Sequence, residues 1–110
     1  MSEKRKEFTA FLESCAVRCK EQAALCAQNG REDEAAFEKI KLNVYDIFKT
    51  VFNTLGEGEK FTKKLREIPA AWQLSLEKAA AHGDDAKVHI GSIKLETARK
   101  IEDKFKEIIG

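Results

Sequence analysis

Phe8-Thr9-Ala10-Phe11-Leu12 and Phe61-Thr62-Lys63-Lys64-Leu65 share the frame Phe-Thr-x-x-Leu, and the 53-residue offset between them persists to the end of the chain. At that offset Gly30 matches Gly83, Ile40-Lys41-Leu42 matches Ile93-Lys94-Leu95, and Phe52 matches Phe105. Read this way, the chain is one helical hairpin written twice, and each copy needs the other to cover its apolar face. The pattern predicts architecture. It carries no chemistry of its own.

Glycine punctuates the pattern. Asn29-Gly30 reads as a helix end, followed by the acidic opening Glu32-Asp33-Glu34, and His82-Gly83-Asp84-Asp85 repeats that grammar one period later. Acidic side chains in a first turn complement the positive end of the helix dipole. Gly56-Glu57-Gly58 separates the copies. These marks predict helices near 3–28, 32–55, 59–82 and 85–109, each roughly 37 Å long at about 1.5 Å per residue. Joints this short force antiparallel neighbours. The expected fold is therefore all-α: an up-down four-helix bundle in one domain over 1–110, with repeat 1 about 3–55 and repeat 2 about 59–109.

Apolar residues recur at three- and four-residue steps, as a helix face requires. The first helix has Phe8, Leu12, Cys15, Cys19 and Cys26 on one stripe; the third has Phe61, Leu65, Ile68, Trp72, Leu76 and Ala79; the fourth has Ala98, Ile101, Phe105 and Ile108. Pro69 falls inside the third helix, where it removes a hydrogen bond and crowds the preceding turn. A kink near Glu67–Ile68 is expected, with a break into two helices as the alternative.

Composition narrows the function classes. Charged residues make up 35% and apolar ones 43%, in line with a helix-rich soluble domain, and the net charge is +1. Both halves share that neutrality: nine basic and nine acidic residues in 1–55, eleven and ten in 56–110. A nucleic-acid binder or a membrane-surface helix shows a basic excess, so neither partner is expected. The start, Met1 to Glu7, leads into a mixed helix rather than an apolar leader, and no stretch approaches the roughly 20 apolar residues of a membrane span. Three cysteines without framework spacing point to a reduced, cytoplasmic protein.

The second helix is more apolar than a surface helix requires. One stripe, Tyr45, Phe48, Phe52 and Leu55, stays apolar in the copy as Ala98, Ile101, Phe105 and Ile108. A second stripe, Val44, Ile47 and Val51, becomes Thr97, Lys100 and Lys104. With Phe37 and Ile40 the apolar arc spans about 160°, against about 100° for an ordinary amphipathic helix. Either this helix lies centrally in its own bundle, or Val44, Ile47 and Val51 form an interface with a second copy or another protein.

Cys15, Cys19 and Cys26 share a helix face, which brings thiolate metal or redox chemistry into view. They lie near the centre of the apolar stripe, however, and their copies are Ile68, Trp72 and Ala79, which are packing residues. A structural zinc site wants four ligands, usually with close Cys-x-x-Cys spacing. Core thiols are therefore the expectation, with no metal and no cofactor. His82 and His89 flank the last turn, and His82, in the place of Asn29, suits a helix C-terminus. Asp33, Asp84 and Asp85 read as dipole partners. Lys60, Lys63, Lys64 and Arg66 are diluted by Glu57, Glu59 and Glu67 and read as a solvated face. Trp72 and Tyr45 read as packing residues. No phosphate loop, dinucleotide fingerprint, nucleophile elbow or paired histidine motif occurs. The function expected is a non-enzymatic helical protein-interaction module, homodimeric in one version. The alternative is a thiol-dependent metal-binding or redox protein using Cys15, Cys19 and Cys26.

Overall fold

The computed structural model describes residues 3–110; Met1 and Ser2, the first residues of the start expected not to be a leader, lie outside them. The described residues form four helices: α1 Glu3–Gln28, α2 Glu32–Leu55, α3 Glu59–Ala81 and α4 Asp85–Ile108. No strand occurs among the described residues. The result is an all-α four-helix bundle.

The two hairpin turns are built alike. Gly30 and Gly83 adopt φ of 76° and 69°, a left-handed conformation that a side chain would strain. After Gly30 the Arg31 N–H donates to Cys26 O at 2.8 Å, while Gly30 N–H donates to Ala27 O. After Gly83 the Asp84 N–H donates to Ala79 O at 2.9 Å, while Gly83 N–H donates to Ala80 O. Both are Schellman closures that use up helix-terminal carbonyls. Asp84 then starts α4 by accepting the Lys87 N–H at 3.1 Å on its carboxylate.

The bundle is not a square. The α1–α2 packing is the most extensive, followed by α3–α4 and then α2–α4; α1–α4 and α2–α3 approach less. α2 and α4 thus form the near diagonal, and α2 touches all three other helices. α3 runs unbroken through Pro69, so the alternative of two helices meeting there is set aside.

The core is anchored at one end. Phe8 at the start of α1, Phe52 at the end of α2, Phe61 at the start of α3 and Phe105 at the end of α4 form a closed cluster. Ring centroids lie 4.8 Å apart for Phe8–Phe52, 5.3 Å for Phe8–Phe105, 4.9 Å for Phe52–Phe61 and 5.1 Å for Phe61–Phe105. Most of these pairs meet edge to face, the favoured aromatic geometry, worth about 0.5–1.5 kcal/mol per pair beyond area burial. Tyr45, Phe48, Leu12, Leu65 and Ile101 extend this core along the bundle.

Candidate functional site

Away from the phenylalanine end the two hairpins part company. In the first, Cys15, Cys19, Ala23 and Cys26 of α1 are buried, as is Ala35 of α2. In the second, Ile68, Trp72 and Leu76 of α3 and Val88 of α4 are only partly covered, although Ala79 is buried as Cys26 is; Ile90 and Ile93 are half-buried, as Phe37 and Ile40 are in the first. Volume explains the contrast. Cys19 and Ala23 are small and let α1 and α2 close. At the matching positions Trp72 and Leu76 are bulky and hold α3 and α4 apart.

A cavity of about 190 Å³ results between α3 and α4. Trp72, Ser75 and Leu76 line it from α3, and Lys87, Ile90, Gly91 and Lys94 from α4. At Gly91 the Leu76 side chain sits close to the α4 backbone: a Cβ there would stand 3.2 Å from it. Trp72 meets the Phe48 ring edge to face at 6.2 Å, and the Lys94 ammonium lies 5.6 Å from its ring centroid. Lys87 approaches Asp84 at 3.9 Å, an exposed contact that contributes little. The wider hollows on the outer faces of α1 and of early α3 each lie on a single helix, so nothing faces their contents.

The three thiols are all buried and free. Burial pushes the Cys19 thiol above its ordinary value, and the nearby Glu38 carboxylate adds to the shift. Tyr45 is raised too, first by burial, then by the adjoining Cys15 thiol. At the hairpin tip the Cys26 S–H points to Glu34 Oε2 at 3.9 Å, and Glu34 pairs with Arg31 at 3.2 Å. No group of His, Cys, Asp and Glu suited to a metal occurs among the described residues.

The remaining sequence candidates are scattered. Val44 is 1% exposed, covered by its own chain, whereas Ile47 and Val51 are partly buried. His82 occupies the C-cap of α3. His89 packs edge to face on Phe37 at 4.6 Å, joining α4 to α2. Lys63 and Lys64 both pair with Glu67. Asp33 and Asp85 sit in first turns. Periodicity puts Trp72 and Leu76 on the packing stripe but assigns no role to Gly91, Lys87 or Lys94. The signals available were the small-to-bulky exchange between copies and a glycine in a helix interior. No helix among the described residues is long and apolar enough to cross a membrane. Comparison with protein families, curated proteins and solved structures found no significant match to this chain.

Proposed function

We propose that this chain is a small, non-enzymatic protein-interaction module. The observation that carries this reading is the α3–α4 face. Trp72 and Leu76 stand in core register yet stay partly uncovered, where the first hairpin buries Cys19 and Ala23. An apolar face left open on a charged surface suits a binding site. The cavity is smaller than the roughly 300–1,000 Å³ that encloses a drug-sized ligand or cofactor, which favours a partner's side chain over a free small molecule. Self-association is a second form of the same reading and rests on Ile47 and Val51. The thiol-dependent alternative has less support, because reactive thiols are accessible and have lowered pKa values, while Cys19 is buried and shifted the other way.

The test is photo-crosslinking in the native cells, with benzoylphenylalanine in place of Ser75 in the groove or, as a control, of Val17 on the outer face of α1. A discrete protein adduct at Ser75 and not at Val17 is expected. No adduct, or the same adducts at both places, would overturn the reading.

A further inference from the structure

We propose that the α3–α4 groove docks an acidic amphipathic helix from a partner protein, with one apolar side chain seated beside Trp72 and carboxylates meeting Lys87 and Lys94. This rests on the interaction-module reading and names the partner's chemistry.

Size argues for a single anchor. An apolar cavity of about 150 Å³ holds a benzene-sized group, so about 190 Å³ fits one phenylalanine or leucine side chain. Shape argues for a helix. The groove lies between two helices, the usual setting for an amphipathic helix that inserts anchors at i, i+3, i+4 and i+7. Gly91 keeps the floor low, because any side chain there would press on Leu76.

Charge argues for acid. Lys87 and Lys94 are seven residues apart on α4, the same face two turns on, roughly 10.5 Å along the axis. No carboxylate lines the groove. Lys94 faces the Trp72 ring, and the Asp84 contact of Lys87 is exposed, so neither ammonium is committed to a buried partner. Carboxylates one or two turns either side of the anchor would complement both. Such charges set orientation and partner choice as well as affinity.

Trp72 is the only tryptophan, so its emission reports on the groove directly. The probe is a synthetic 14-residue helical peptide with a central Phe, Leu one turn away on either side and Glu flanking them. A counterpart with Lys for every Glu is the control. The acidic peptide is expected to change Trp72 emission saturably, to bind at least tenfold more tightly than the basic one, and to lose that advantage as salt rises. Its amide shifts should map to residues 72–76 and 87–94. Benzoate alone should bind at least tenfold more weakly than the peptide. Lys87→Glu with Lys94→Glu should reverse the preference. If that variant does not fold, Lys87→Gln with Lys94→Gln should erase it. Equal binding of both peptides, shifts mapping elsewhere, benzoate matching the peptide, or a groove already filled by a second copy in light scattering would overturn the proposal. A discrete Ser75 crosslink without acidic preference overturns this occupant and leaves the module standing. Absence of both crosslink and peptide binding removes both.

Discussion

Cys19 and Trp72 stand 53 residues apart, one in each hairpin, and their surroundings diverge because of what each must fit. A buried thiol behaves as a small hydrophobe and lets helices approach; an indole cannot be enclosed at the same spacing. The buried state of the thiol has a titration consequence. Cys19 and Tyr45 are both raised in the fold, from ordinary values of 9.0 and 10.0. A raised pKa means the unfolded chain loses its proton first, so the contribution is intact below about pH 9 and fades as alkali rises through the folded values. Melting temperature should therefore fall between pH 8.5 and 10.5, and Tyr45→Phe should fall less steeply. Equal slopes in the two proteins would contradict the assignment. Cys19→Ser should cost about 1–3 kcal/mol, as a hydroxyl buried without a good partner does. Native thiols should react slowly with a thiol reagent, and rapid modification of Cys15 and Cys19 in folded protein would contradict the packing account.

At the scale of elements, periodicity and caps carried most of the information. The spacing of Gly30, Gly56 and Gly83 placed all four helices to within a residue, because each glycine takes a left-handed φ that ends a helix. Periodicity assigns a residue to a face but not the distance to the facing helix. That distance depends on summed volumes across the seam, so the groove beside Trp72 is not legible from periodicity alone. The same limit applied to α2. Val44 read as one of three interface residues, but α2 lies against all three neighbours and Val44 is enclosed. Ile47→Lys now decides the rest of that stripe. The variant should stay helical, because Ile47 is only partly buried. If Ile47 and Val51 hold a second copy, light scattering should show a dimer that falls to a monomer. An unchanged mass would end the self-association form of the proposal. α3 carries a further test. Pro69 offers no N–H to its own helix, and our reading is a local kink. Pro69→Ala should raise stability by about 1–3 kcal/mol, recovering the hydrogen bond and propensity that proline forfeits. No gain would mean that the site tolerates proline without distortion.

For the whole molecule, the phenylalanine cluster joins all four helices at one end. Positions 8 and 52 recur as 61 and 105, and the cross-copy contacts Phe8–Phe105 and Phe52–Phe61 correspond under that offset. We propose that the hairpins are structural copies related about this cluster. Phe8→Leu and Phe61→Leu should then lose similar stability, about 0.5–3 kcal/mol each. Their rings are 5.9 Å apart, so the double variant should show coupling rather than a plain sum. Clearly unequal losses would argue that the two copies do not play equivalent parts.

A bundle closed at the phenylalanine end is left incomplete between α3 and α4 at the other. Amide hydrogen exchange on the free protein tests it most directly, since local protection follows local packing. Amides of 72–81 and 86–94 should exchange faster, by about tenfold or more, than their counterparts in 19–28 and 33–41, while those beside Phe8, Phe52, Phe61 and Phe105 exchange slowest. Equal protection in the two hairpins, or greater protection in the second, would contradict it.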